Sequence, residues 1–310
     1  MPKRNDATYV YDIQAFKKLF PYLMPRKCDS LVYLDLDLDL TATLDFIKNN
    51  QSPTLERKYR VFEVLIAAIA RLIIIRPELN RFVMNKRLWQ RNEISLNFIV
   101  KEDYDDNAPE HSIILKFDEN HTLESIATLV DEKINEARKK TDLDKSSLAV
   151  DRLVNFFAAF PPFILTAIVS VIKFMDIKGF APKSIIEEDG LHCSAYLTNL
   201  GSIGLKTGAV YHHLYQWGTT SLFITIGSLK RKRIVKDKTI EKRDSLKIGI
   251  TLDERIADGY YFVQSLNLLQ QILNTPEQLF FKPNKIAQRP AKSKRELKKR
   301  KKDKLKKEIS

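Results

Sequence analysis

Residues 246–259 read LKIGITLDERIADG and combine a strand-like segment with a polar turn and the start of a helix. The apolar residues of LKIGITL alternate with others, which is typical of a half-buried strand. Residues Tyr260–Leu273, which follow this stretch, are amphipathic with helical spacing. Two further strand-like segments come before residue 246: SAYLTNLG (194–201) and SLFITIGSL (221–229). The C-terminal half is therefore predicted to contain three strands followed by a helix.

The N-terminal half supplies the remaining strands and helices. Residues 31–40 read LVYLDLDLDL, which places Asp35, Asp37 and Asp39 on one side of a predicted strand and leucines on the other. These carboxylates are interpreted as solvated rather than as metal ligands, because no histidine lies nearby. Four segments complete the pattern: a buried helix over Arg60–Arg76 that ends before Pro77, strands over Ile94–Val100 and Ser112–Phe117, and a helix from Thr122.

An uncharged run of 20 residues, Leu153–Ile172, is long enough to span a bilayer. Pro161 and Pro162 interrupt it, so a pair of buried or interface helices is the favoured interpretation.

Charge and cysteine content limit the classes of protein. The net charge of +13 is concentrated in residues 282–310, which hold 14 Lys/Arg and 3 Asp/Glu. The basic character is therefore that of a tail, predicted to lack a packed core, that would bind nucleic acid or an anionic membrane without sequence specificity. Only Cys28 and Cys193 are present, and Met1–Asp6 does not begin a signal sequence, so a reducing cytoplasm is expected.

The chain resembles the catalytic domains of dihydrolipoamide acyltransferases and the chloramphenicol acetyltransferase-like superfamily over roughly residues 10–280. Four stretches carry the resemblance in order and spacing: IAAIARLIIIRPELN (66–80), TLESIATLVDEKINEAR (122–138), LTNLGSIG (197–204) and TLDERIADG (251–259). The resemblance implies an α/β two-layer sandwich with a mixed sheet, here with a helical insertion at about 149–182. It implies a domain over residues 1–281, the tail at 282–310, and association as trimers or multiples of trimers, with active sites between subunits.

Because the resemblance places both sides of the run Leu153–Ile172 in one domain, a single crossing would put the two halves of that domain on opposite sides of a membrane. The run is therefore predicted to pack on the domain, to cover the mouth of its active-site channel, or to touch a membrane from one side.

The resemblance also implies a set of site residues. The family motif Asp-His-Arg-x-x-Asp-Gly corresponds to residues 253–259, with Glu254 in place of the catalytic histidine. Thr198 falls where the family has a hydroxyl that stabilises the tetrahedral oxyanion. Asp258 matches a structural carboxylate that pairs with a basic residue near the N-terminus, for which Lys17 and Arg26 are candidates.

The general base is left open between Glu254 and a nearby histidine. Proton transfer from a thiol of pKa about 8.5 is uphill by about 5.7 kcal/mol to a carboxylate of pKa about 4.3, and by about 2.7 kcal/mol to an imidazole. Burial that raises the carboxylate pKa by about 3 would close most of this gap. His212 and His213, in the segment VYHHLYQWG, are candidates for a relocated base or for a pair with Glu254. A nucleophilic pair of His192 and Cys193 is disfavoured, because adjacent strand residues point to opposite faces.

The first hypothesis is an enzyme that transfers an acyl group between coenzyme A and a thiol, amine or hydroxyl acceptor through a ternary complex. Coenzyme A would be a co-substrate, and neither a metal nor a lipoyl domain is expected in this chain. The second hypothesis is a catalytically silent acyltransferase-fold scaffold, or a protein that binds acyl groups or coenzyme A.

Overall fold

The computed structural model describes residues 4–283 except for residues 102–104, 106–107, 109, 144–159, 207–209 and 237. Its strands are β1 (Ala7–Tyr9), β2 (Leu31–Asp39), β3 (Gln51–Ser52), β4 (Arg57–Lys58), β5 (Arg81–Met84), β6 (Arg87–Arg91), β7 (Ile94–Lys101), β8 (Glu110–Phe117), β9 (Ala195–Asn199), β10 (Leu222–Lys236) and β11 (Thr239–Asp253). Its helices are α1 (Phe20–Leu23), α2 (Thr41–Asn49), α3 (Val61–Ile75), α4 (Leu123–Leu143), α5 (Pro162–Lys178), α6 (Lys183–Glu188) and α7 (Gly259–Asn274).

A mixed six-stranded sheet organises the chain in the order β2-β11-β10-β9-β7-β8. Strand β9 runs parallel to both β10 and β7, and the other neighbouring pairs are antiparallel. Two smaller sheets accompany it, one of order β1-β6-β5 and one of β3 and β4. The predicted α/β class with a mixed sheet is confirmed.

One face of the large sheet carries the main core, because alternate residues of each strand are apolar. Helices α2, α3, α4 and α7 pack against this face. Helix α3 is hydrophobic on most sides and is almost entirely buried, as expected for a helix enclosed by the sheet and by other helices. The opposite face of the sheet holds a small cluster formed by Cys193, Tyr196, Leu214 and Phe223.

The aspartates of β2 lie on this second face, and each one has a basic partner. Lys247 donates to Asp35 at 2.9 Å, Lys232 pairs with Asp37, and Arg243 pairs with Asp39. The carboxylates are thus ion-paired along the sheet rather than simply solvated. Among the described residues, no group of three or more His, Cys, Asp or Glu side chains is arranged to hold a metal ion.

Helix α5 differs from the expectation of buried helices in the insertion. Asp176 is its only buried residue, while Phe163 and Val171 are 74% and 57% exposed. Residues 149–159 of the expected insertion, and the part of the tail after residue 283, lie outside the described residues. No helix in the described ranges has both the length and the apolar character needed to cross a bilayer.

Candidate active site

The end of β11 is anchored by a buried ion pair. Asp253 is fully buried and accepts hydrogen bonds from Arg255 Nη2 at 2.6 Å, from Arg255 Nε at 2.8 Å and from the Ser30 hydroxyl at 2.9 Å. The Arg255 guanidinium also donates to the Met24 carbonyl at 2.8 Å. This pair holds the turn after β11 against the segment that precedes β2.

In the sequence, Glu254 stands between Asp253 and Arg255. Its backbone N–H donates to the Ser30 carbonyl at 3.0 Å, so its Cα position is set by the same anchor. Its side chain is half-buried. Glu254 therefore lies in a turn after β11 that hydrogen bonds with Ser30 hold in place.

Asp258 caps the N-terminus of α7 and pairs with the N-terminal segment. Its carboxylate accepts from the Tyr261 backbone N–H at 2.8 Å and from Lys17 Nζ at 2.9 Å. The hydrogen bond from Lys17, followed by that from the Tyr261 backbone, lowers the pKa of Asp258. Of the two basic residues considered from the sequence, Lys17 is the partner, whereas Arg26 pairs with Asp29 at 2.8 Å.

Thr198 lies on β9 and shares the second sheet face with Tyr196, because Leu197 between them points into the main core. The side chain of Thr198 is half-buried. In register, Thr198 pairs with Thr225 of β10, which pairs with Gly249 of β11. Two strand spacings and five further residues along β11 separate Thr198 from Glu254, or roughly 15–20 Å. A single chain therefore does not bring these two candidates together.

His212 packs on the same sheet face as Thr198, across the Phe223 ring from Tyr196. Its ring stacks on Phe223 at a centroid distance of 4.2 Å, and Phe223 pairs with Tyr196 on β9. Phe223 and Thr198 are thus diagonal neighbours on the same face, with Cα atoms about 8 Å apart.

A backbone contact determines which nitrogen of His212 carries the proton. The Nδ1 atom of His212 lies 2.7 Å from the carbonyl oxygen of His213. Because a carbonyl only accepts, Nδ1 holds the hydrogen, so the neutral form of the ring has its lone pair on Nε2. The ring of His213 stacks on the other histidine at 4.6 Å.

The segment that carries His212 runs close to the sheet. The Val210 carbonyl accepts a hydrogen bond from the Thr225 hydroxyl, and a Cβ atom on Gly249 would lie 2.1 Å from that carbonyl oxygen. Any side chain at position 249 would therefore displace the segment and with it the imidazole. This close approach is the physical reason for a glycine in the middle of β11.

A groove of about 560 Å³ opens on the same face. Tyr196, Tyr215, Leu191, Ile185 and Asn97 are among the residues that line it. Its size and its mainly apolar lining suit an extended organic ligand rather than an ion.

A buried polar network behind this face was not predicted from the sequence. His192 faces Asp189 through Nδ1 at 2.9 Å and Asp176 through Nε2 at 3.2 Å, and Arg4 donates to Asp176 at 2.7 Å. Burial opposes a charge on His192, but the hydrogen bonds to Asp176 and Asp189 outweigh it and raise its pKa. Burial also raises the pKa of the neighbouring Cys193 thiol, so the pair does not form a nucleophile. The sequence signal for this network was Asp176, the one acidic residue in the mainly apolar helix α5.

Lys27 is a second buried group that sequence patterns did not indicate. Its ammonium donates to the Gly218 carbonyl at 2.9 Å, and burial lowers its pKa to about 7. The unfolded chain therefore binds a proton that the folded chain releases between about pH 7 and pH 10.

We expect this difference to appear in the pH dependence of stability. From pH 7 to pH 10, the free energy of unfolding of the wild type should rise relative to that of Lys27→Met, by up to about 1.4 kcal/mol per pH unit. Urea denaturation of both proteins at several pH values measures the difference. A difference that stays constant over this range would show that Lys27 remains charged in the folded protein.

Comparison with known proteins agrees with the resemblance drawn from the motifs. Residues 183–281 match the model of the family described as 2-oxoacid dehydrogenases acyltransferase (catalytic domain). A probable dihydrolipoamide acetyltransferase from Listeria monocytogenes is similar in structure at 13% identity, over 86% of this chain and 95% of that chain, with a TM-score of 0.55. Comparison with curated proteins finds no match.

Two assembled complexes contain the same fold. The cubic core of the pyruvate dehydrogenase multienzyme complex matches at 14% identity over 88% of this chain and 94% of that chain, with a TM-score of 0.57. A truncated catalytic core of the 2-oxoacid dehydrogenase multienzyme complex from Thermoplasma acidophilum matches at 12% identity over 87% of this chain and 99% of that chain, with a TM-score of 0.51. The sequence of residues 183–281 and the fold of the described chain thus confirm its resemblance to the catalytic domains of the 2-oxoacid dehydrogenase acyltransferases.

Proposed function

We propose that the protein is a coenzyme A-dependent acyltransferase that moves an acyl group between coenzyme A and a thiol, amine or hydroxyl acceptor. The observation that carries this proposal is that Thr198 and His212 share a sheet face on which Tyr196 and Tyr215 line a groove of about 560 Å³. A hydroxyl donor, a neutral imidazole and an apolar groove are the groups that acyl transfer from a thioester requires.

His212 is the general base in this proposal. Its Nε2 takes the proton of the acceptor thiol as the sulfur attacks the acyl carbonyl, and the Thr198 hydroxyl donates to the oxyanion. Collapse of the tetrahedral intermediate breaks the bond to coenzyme A, and the imidazolium returns the proton to the departing thiolate. Because His212 takes the thiol proton in this proposal, Glu254 is not required as a base.

The proposed assembly is a homotrimer or a multiple of trimers. Glu254 and Thr198 of one chain are too far apart to share a substrate, so a complete channel would take Glu254 from one subunit and Thr198 from the next. The fold shared with a cubic core supports this arrangement. We further propose that residues 1–281 form the acyltransferase-like domain and residues 282–310 an appended basic tail.

Substitution of Thr198 tests the oxyanion role. We expect Thr198→Val to lower kcat for acyl transfer by about 100-fold or more, since one oxyanion donor is lost, while the calorimetric Kd for coenzyme A stays within about threefold. Thr198→Ser keeps a hydroxyl at the same place and should retain most of the activity. Equal rates for Thr198→Val and the wild type would remove Thr198 from the site.

A further inference from the structure

We propose that helix α5 docks on the surface of an anionic lipid bilayer and holds the protein against the membrane from one side. The proposal rests on the exposure, the internal hydrogen bonding and the charge of this helix, and it is independent of the proposed catalytic activity.

The exposed apolar surface of α5 extends around much of the helix. Phe163, Val169, Val171 and Phe174 are between 42% and 74% exposed, and at about 100° per residue they spread over about 200° of its circumference. A helix that is hydrophobic over so wide an arc is normally buried in protein or lipid. Acyl chains and headgroups of a bilayer interface can pack around an arc of this width.

The two hydroxyl groups of the helix already have hydrogen-bond acceptors within it. The Thr166 hydroxyl donates to the Pro162 carbonyl at 2.7 Å, and the Ser170 hydroxyl donates to the Thr166 carbonyl at 2.7 Å. Both hydroxyls can therefore enter an apolar phase without losing a hydrogen-bond partner. This arrangement removes the main cost of placing α5 among acyl chains.

The topology of the sheet rules out a single membrane crossing by α5, so the helix is proposed to lie along the membrane surface. Strands β2, β7 and β8 precede α5 in the chain, and β9, β10 and β11 follow it, yet all six belong to one sheet. Both ends of α5 must therefore remain on the same side of a membrane. A helix of 17 residues lying in the interface satisfies this constraint.

The charges around α5 match an anionic surface. Lys173 and Lys178 are the exposed charged residues of the helix, while Asp176 is buried in its ion pair with Arg4 at 2.7 Å. Basic residues next to an inserted apolar segment add attraction to anionic headgroups.

Vesicle co-sedimentation of the full chain tests the proposal. We expect the wild type to bind vesicles of phosphatidylcholine with phosphatidylserine, and Phe163→Ser with Val171→Ser to lower the partition coefficient by at least about tenfold. The matched control is Val235→Ser with Ile240→Ser, which removes apolar residues that are 77% and 71% exposed on the β10–β11 hairpin and should leave vesicle binding unchanged. Because all four side chains are exposed, both double variants should keep the wild-type thermal transition.

Three outcomes would overturn the proposal. The first is an absence of vesicle binding by the wild type. The second is binding by the α5 double variant that equals the wild type and disappears when residues 284–310 are deleted, since the tail alone would then account for it. The third is a change in the oligomeric state of the α5 double variant without lipid, measured by light scattering, which would show that a second copy of this chain covers α5.

Discussion

Asp253→Ala is expected to lower the free energy of unfolding by about 3–5 kcal/mol, because it leaves the buried Arg255 guanidinium without its counter-charge. Both side chains are at most 2% exposed, and the Ser30 hydroxyl also loses one of its two acceptors. Urea denaturation followed by circular dichroism measures the loss. The effect is large because a lone charge remains inside the protein.

Asp258→Asn is the matched control within the same motif. The side chain of Asp258 is 52% exposed, so the loss of its ion pair with Lys17 should change the free energy of unfolding by less than about 1 kcal/mol. Equal effects of the two substitutions would contradict the assignment of Asp253 as the anchor of the turn that presents Glu254.

His212→Ala is expected to lower kcat for thiol acyl transfer by about 100-fold or more, as for other enzymes that lose a general base. Its stability should change little, because the ring is half-buried on the surface of the Tyr196 and Phe223 stack. The rate is measured as release of free coenzyme A from an acyl-CoA in the presence of an acceptor thiol.

Two further substitutions distinguish His212 from the competing bases. His213→Ala keeps the backbone carbonyl that orients His212, so it should retain activity within about threefold. Glu254→Gln keeps the shape of Glu254 and removes its basicity, and it should also retain most of the activity. If Glu254→Gln is inactive while His212→Ala turns over normally, Glu254 is the base.

Local patterns were sufficient to predict most of the sheet and its helices. The alternation in residues 31–40 correctly placed the leucines of β2 towards the core and the aspartates on the opposite face. The buried helix predicted over Arg60–Arg76 corresponds to α3, Val61–Ile75. These elements were accessible because periodicity depends on residues close together in the chain.

Long-range placement could not be predicted in the same way. Lys17 and Asp258 are 241 positions apart, and Arg4 and Asp176 are 172 apart, so no local pattern connects them. The separation of Thr198 from Glu254 depends on the register of three strands. The exposure of α5 ran against the usual burial of apolar helices, which sequence patterns alone favour.

Thiol-dependent acyl transfer by the purified protein tests the central claim most directly. The release of free coenzyme A from a panel of acyl-CoA thioesters is measured with and without an acceptor thiol, and coenzyme A binding is measured by calorimetry on the same sample. The account predicts saturable coenzyme A binding and turnover that requires the acceptor. No binding and no turnover with any acyl-CoA would contradict it and would leave a catalytically silent protein with the acyltransferase fold.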